Sequence, residues 1–180
     1  MNKIKDFFAN FDENYDRAKL IKVLRIISLG LILFVAAYIL VGFSVKFYGI
    51  GVVQTQSIDA RVIIYERSVE RADLKDKLIF FLLPKQTPYF AKHSNFAKYV
   101  RCEGGDILSV KGLQYFCNDE LIGVAKTEDK NGKRVEHFVF NGQIPYGQYF
   151  VMGTHERSYD SRYWGFVDYN LIKGVSVWKI

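Results

Sequence analysis

The chain has 180 residues, 49% hydrophobic and 24% charged, a composition that builds a core and excludes a disordered or collagen-like polymer. Its net charge of +6 is spread along the sequence with no basic stripe interleaved with stacking aromatics, so nucleic acid is not an expected partner. There is no Walker-type glycine loop, His-Glu-x-x-His, Cys-x-x-Cys or Gly-x-Ser-x-Gly, and two cysteines with three scattered histidines do not make a metal centre; no cofactor or metal is expected.

Residues 1–25 mix both signs and place Ile4, Phe7, Phe8 and Phe11 at a spacing that fits a short helix lying on a membrane surface. Ile26 to Val45 is then an uncharged run of twenty residues, which as a helix spans about 30 Å, the thickness of a bilayer's hydrocarbon core. Lys3, Lys5, Arg17, Lys19, Lys22 and Arg25 precede the run, whereas Lys46 and Arg61 are the only basic residues in the next twenty. The asymmetry predicts a single-pass anchor with its N-terminus in the cytoplasm and residues 46–180 outside, as in a bacterial inner membrane with a periplasmic domain. The segment Gly42-Phe43-Ser44-Val45-Lys46-Phe47 lacks the small-residue cleavage site of a secretory peptide, so the anchor is read as uncleaved. Cys102 and Cys117 thereby fall on the oxidising side, either as a disulfide or as two unpaired buried thiols.

Beyond the anchor the pattern changes to short alternating or apolar runs separated by turn residues, and the fold class is mainly β. Strands are expected near residues 61–65, 77–82, 99–102, 107–110, 115–117, 137–140, 149–153 and 171–178. Gly104-Gly105-Asp106, Lys111-Gly112, Asn118-Asp119, Asn131-Gly132, Asn141-Gly142 and Pro145-Tyr146-Gly147 supply the bends between them. No repeat or linker interrupts 46–180, which is read as one extracytoplasmic domain. His93, His137 and His155 are expected to be surface or hydrogen-bonded histidines, since nothing sets any of them beside a nucleophile.

Two segments are unlike ordinary β-domain sequence. Gly153-Thr154-His155-Glu156-Arg157-Ser158-Tyr159-Asp160-Ser161-Arg162-Tyr163-Trp164-Gly165 resembles the signature box of the signal peptidase I family, Gly-Asp-x-x-x-(x)-Ser-x-Asp-Ser-Arg-x-x-Gly. Lys98-Tyr99-Val100-Arg101-Cys102-Glu103-Gly104-Gly105-Asp106 is similar to that family's lysine box, in which the general-base lysine stands eight positions before the aspartate of a Gly-Asp pair. Residues 142–153, with the short spacing before Ser158, resemble the conjugative-transfer, TraF-type branch that processes pilins.

The resemblance implies an anchored β-domain with a LexA-like core and a Ser/Lys dyad: Ser57 as nucleophile, Lys98 as general base, Thr55 in the oxyanion hole and Ser158 orienting the lysine. Ser68 is the second choice of nucleophile. Asp160 and Arg162 are expected to form a structural ion pair. Substrates would be precursor proteins with signal peptides, or a pilin precursor, cut after small residues at the first and third positions before the bond. Membrane lipid is the other expected partner, met by the run Phe80-Phe81-Leu82-Leu83-Pro84 dipping into the outer leaflet. Two departures, the absence of proline after Ser57 in Ser57-Ile58-Asp59-Ala60 and Thr154 where aspartate is usual, support an alternative, a catalytically inactive membrane-anchored scaffold in a secretion or conjugation complex.

The chemistry asks one thing of the lysine. A free amine with pKa about 10.4 is charged at neutral pH and takes no proton; burial disfavours the ammonium and lowers that value. Lys98 stands between Phe96-Ala97 and Tyr99-Val100, a neighbourhood able to bury it.

Overall fold

The computed structural model describes residue 5, residues 17–67 and residues 73–180. The surface helix expected from Ile4, Phe7, Phe8 and Phe11, and the alternative nucleophile Ser68, lie outside the described residues. The chain divides after Val45 into two units.

The first contains most of helix α1 (Arg17–Phe47), 31 residues long. Within its stretch Lys19–Phe47 an 18-residue window has a mean hydropathy of 2.7 and no buried residue. Apolar side chains point to all sides of it, Ile26, Phe34, Tyr38 and Leu40 among them, as they do in a helix solvated by lipid rather than one with a single core face. It is long and apolar enough to cross a membrane.

The described residues of the second unit form eleven antiparallel strands: β1 (Tyr48–Val52), β2 (Val62–Glu66), β3 (Leu78–Leu82), β4 (Asn95–Glu103), β5 (Ile107–Lys111), β6 (Gln114–Cys117), β7 (Glu120–Val124), β8 (Gly142–Gln143), β9 (Gln148–Met152), β10 (Val167–Asp168) and β11 (Ile172–Lys179). Seven form one sheet in the order β1-β2-β11-β3-β4-β9-β10, and four form a second in the order β7-β6-β5-β8. One helical turn, α2 (Ser161–Trp164), packs between them in sequence from β9 to β10.

β4 and β9 join the two layers. Val100 and Val151 pack with Ile79, Phe81, Leu83 and Trp164 in one core cluster, whereas Cys102, Phe150 and Met152 belong to a second with Leu108, Tyr115 and Ile144. The change of side along β4 occurs at a register shift between Val100 and Cys102, where an irregularity reverses which face the following side chains take. Upstream of it, strict alternation buries both Lys98 and Val100. A third, smaller cluster of Ile58, Ile63 and Leu78 seats the loop between β1 and β2.

Two expectations are overturned. Residues 137–140 form no strand: the Phe138 N–H donates to the Arg162 carbonyl and its own carbonyl lies 2.8 Å from the Tyr115 hydroxyl, so the segment is tied to α2 and a side chain instead of a sheet edge. The run Phe80 to Pro84 is not a membrane-dipping loop: Phe80 to Leu82 belong to the central strand β3, and Leu83 follows it into the core. Phe81 and Leu83 are fully buried, and β3 is flanked on both sides, by β11 and β4. Exposed apolar residues lie elsewhere, among them Tyr48, Ile50 and Val52 on edge strand β1 and Val177, Trp178 and Ile180 at and after β11.

Candidate active site

Residues 53–61 link β1 to β2, closed at the base by the Val53 N–H donating to the Arg61 carbonyl at 2.8 Å. Ile58 is buried and pins the loop from below, while the neighbouring Ser57 stays half-buried. Its hydroxyl is 3.0 Å from that of Thr55. The Ser57 carbonyl accepts from the His155 N–H at 3.4 Å, which ties this loop to the segment after β9.

That segment is held by an array around Asp160 and Arg162. Arg162 donates from Nε to Asp160 Oδ1 at 2.8 Å and from Nη2 to Oδ2 at 2.7 Å, and its remaining donors reach the carbonyls of Val124 and Ser158 at 2.6 and 3.0 Å. Asp160 also accepts from the Gly153 N–H at 3.0 Å and caps α2 through the Arg162 N–H. The Ser161 hydroxyl accepts from Val151 N–H at 2.9 Å. Both ions are buried, and each guanidinium nitrogen and each carboxylate oxygen has a hydrogen-bond partner, the condition under which a buried pair is tolerated. Gly153 is required for space: a Cβ there would overlap the Ser158 side chain and the Ser57 carbonyl together. The two serines therefore converge on one glycine from different parts of the chain.

Lys98 enters from β4. It pairs across the ladder with Ile79 on β3, whereas the pairing of β4 with β9 begins only at Tyr99. Asn95 to Lys98 consequently run beyond the end of β9 with one edge unpaired by any strand. The Lys98 side chain is 2% exposed, forms no ion pair among the described residues, and has its Nζ 5.8 Å from the centre of the Phe96 ring. Burial lowers its pKa from the ordinary 10.5 to about 8; Asp160 opposes that shift and Arg162 reinforces it.

Ser57, Thr55, Lys98 and Ser158 line one cavity of about 1050 Å³. The Ser158 hydroxyl is buried there without a hydrogen-bond partner. Asp160 and Arg162 lie behind this wall and do not line it. Cys102 and Cys117 are joined by a disulfide with Cα atoms 5.7 Å apart. It links β4, four residues from Lys98, to β6 of the other sheet.

Three contributors to the cavity have no counterpart in the sequence reading as site residues. His155 lines it and is tied to the Ser57 loop. Tyr89 and Asp129 line it and close a clasp between two loops, Tyr89 Oη donating to Asp129 Oδ2 at 2.8 Å. His155 stands inside the signature box and could have been flagged by its place there; the clasp joins residues forty apart and has no local signal.

The family described as signal peptidase, peptidase S26, matches residues 20–180. A solved structure of a signal peptidase I from Enterococcus faecalis aligns at 23% identity over 60% of this chain and 98% of that one, with a TM-score of 0.41. No curated protein matches.

Proposed function

The chain belongs to the S26 family of signal peptidases, and from that premise we propose that it is a membrane-anchored serine endopeptidase that releases precursor proteins from their leaders with a Ser57/Lys98 dyad. One observation carries the reading: a lysine almost wholly buried, left without an ion pair, and facing the same cavity as the half-buried Ser57. Burying an amine unpaired costs stability, and such costs persist where the neutral form is used.

In this mechanism neutral Lys98 takes the proton as Ser57 Oγ bonds to the scissile carbonyl carbon. The lysine then delivers that proton to the departing amine, and water attacks the acyl-enzyme by the same route in reverse. Thr55, with its hydroxyl against Ser57 Oγ, and the Ser57 N–H donate to the carbonyl oxygen as it becomes an oxyanion. Ser158, with a buried hydroxyl otherwise unpartnered, aims the amine. The unpaired edge of Asn95 to Lys98 accepts the substrate as an added strand, with main-chain hydrogen bonds giving affinity and alternate side chains read in pockets.

The anchor's charge asymmetry and the disulfide support a cytoplasmic N-terminus and a catalytic domain on the oxidising side of a bacterial inner membrane. The short spacing from Gly153 to Ser158 supports a dedicated substrate, a pilin precursor, as its task.

The test is cleavage of a precursor with an Ala-x-Ala junction by the full chain in detergent. Ser57→Ala and Lys98→Ala should each reduce turnover by about 10³-fold or more. Wild-type turnover should climb with pH to a plateau above about 8, because the neutral amine is the working form and its pKa stands there. Retained cleavage in Ser57→Ala, or a pH-independent rate, defeats the dyad.

A further inference from the structure

Two loops from different sheets meet at the cavity that Ser57 and Lys98 share. Residues 84–92 connect β3 to β4 in the seven-stranded sheet, and residues 126–135 follow β7 of the four-stranded one; Tyr89 from the first and Asp129 from the second both line the cavity. Each loop is firm by itself. In the first, the Thr87 N–H donates to the Phe90 carbonyl at 3.0 Å, Thr87 Oγ1 accepts from the Phe90 N–H at 3.0 Å, and Gln86 Oε1 accepts from the Lys92 N–H at 3.1 Å. Tyr89 therefore stands on a braced turn, with its ring edge-on to Tyr159 at 5.0 Å.

The second loop is a hairpin with a fixed root. The Lys126 N–H donates to Tyr163 Oη at 3.0 Å, the Val135 N–H to the Thr127 carbonyl at 2.9 Å, and the Asp129 N–H to the Lys133 carbonyl at 2.8 Å. Asp129 Oδ1 closes the tip by accepting from the N–H groups of Asn131 and Lys133 at 2.8 and 3.0 Å. That leaves Oδ2, to which Tyr89 Oη donates at 2.8 Å across the gap between the loops. Among the described residues it is the one hydrogen bond joining residues 84–92 to residues 126–135, and it is exposed. Breaking it costs neither loop its internal bonds.

A chain added to the unpaired edge of Asn95 to Lys98 runs past Asn95 toward the 84–92 loop, because that loop is the connection into β4. An uncut precursor has no free end there: its leader continues one way and the mature protein the other. Such a chain cannot be threaded beneath two joined loops and is admitted only when they part. We propose that the Tyr89–Asp129 bond is the catch of a strap, which opens to admit the precursor chain and closes over it beside the cleavage site. The inference rests on the peptidase reading above, since a chain with bulky ends is what obliges the strap to open. An exposed hydrogen bond to a carboxylate biases joined over parted loops by about tenfold, little enough to be undone in every turnover.

The experiment uses the full chain in detergent and a precursor whose leader is seated in a micelle and whose mature part is a folded fluorescent domain, so that neither end threads. On the Ser57→Ala protein, Tyr89→Phe keeps the ring against Tyr159 and removes the catch. It should speed association and dissociation of this precursor by about three- to tenfold and leave Kd within about twofold, while a short peptide with two free ends shows neither change. Locking the strap reads it directly. Both native cysteines are in the disulfide, so Tyr89→Cys combined with Asp129→Cys offers two thiols to a short bismaleimide, and the unlinked double variant controls for folding. Linked before mixing, the protein should exclude the precursor and still bind the short peptide. Linked after mixing, it should hold the precursor through washing that frees it from unlinked protein. Precursor that enters and leaves linked protein at the unlinked rate overturns the strap, as do precursor rates indifferent to Tyr89→Phe. Capture by linking without wild-type cleavage sinks the peptidase reading and keeps the strap; full cleavage by protein linked beforehand does the reverse.

Discussion

Two cations lie equally deep in the β-domain, Lys98 at 2% exposure and Arg162 at 3%, and their surroundings differ in every other respect. Arg162 meets a carboxylate through two parallel hydrogen bonds and spends its other donors on carbonyls. Lys98, on a strand that passes beside a cavity, has neither a carboxylate nor a carbonyl to hold among the described residues. Guanidinium geometry explains part of the contrast: a planar fork that stays charged suits a permanent anchor, and an amine that gives up its proton suits a base. The larger lesson is that a buried charge with all its partners organises structure, and one with none is available for chemistry.

Breaking the paired cation should have the largest effect on stability. Arg162→Met leaves Asp160 charged, buried and uncompensated, so the full chain in detergent should lose about 3 to 5 kcal/mol, read by denaturant unfolding with the buried Trp164 as fluorophore. Removing the unpaired cation should act in the opposite direction. The folded-state pKa of Lys98 lies below its unfolded value, so between about 8 and 10.5 the unfolded chain binds the extra proton and stability rises with pH. Below about 8 the whole cost is present, about 3 kcal/mol for a shift of that size. Lys98→Met should therefore stabilise the protein at pH 7 by up to that amount, with the gain fading toward pH 10.5 and with turnover abolished. Equal stability of variant and wild type at pH 7 would mean that burial does not depress the Lys98 amine.

The disulfide sharpens the same contrast because it braces the strand that presents Lys98. Its fifteen-residue separation predicts a loss of about 3 kcal/mol when Cys102 and Cys117 are both replaced by Ala. A comparable loss on reduction of the wild type, with no further loss on reducing the variant, is the matching control.

The sequence made the two cations findable by different routes. Asp160 and Arg162 sit two apart inside a compact box, so their pairing is legible from the resemblance that the box carries. The environment of Lys98 comes from period-two alternation along β4, which places it on the buried side with Val100, and from the position at which β9 stops, which no local pattern encodes. The fold was legible in the same uneven way. Strands with their own alternation, such as β2, β3, β5 and β9, fall within a residue or two of the expected ranges. β1 was hidden because its apolar residues continue the anchor's run, and β7, Glu120-Leu121-Ile122-Gly123-Val124, reads as loop until β6 supplies its ladder. Residues 137–140 have strand-like composition, yet their backbone groups are claimed by Tyr115 and Arg162 before any strand can pair with them.

Ser158 supplies the smallest stability effect and the most discriminating one. Deleting a buried hydroxyl usually costs about 1 kcal/mol because a hydrogen bond is lost with it. This hydroxyl has no partner, so its desolvation is uncompensated, and Ser158→Ala should leave unfolding free energy within about 1 kcal/mol of wild type, with any change toward greater stability. Its neighbours make the substitution benign in shape as well, since Gly153 already leaves room for the larger side chain. If the hydroxyl orients the Lys98 amine, kcat should nevertheless fall by about 10-fold to 100-fold with KM little altered, a fraction of the span that general-base catalysis supplies. Threonine, which keeps the hydroxyl, should recover part of the rate. Parallel loss of stability and rate would instead make Ser158 a packing residue and leave Lys98 to find its aim from β4 alone.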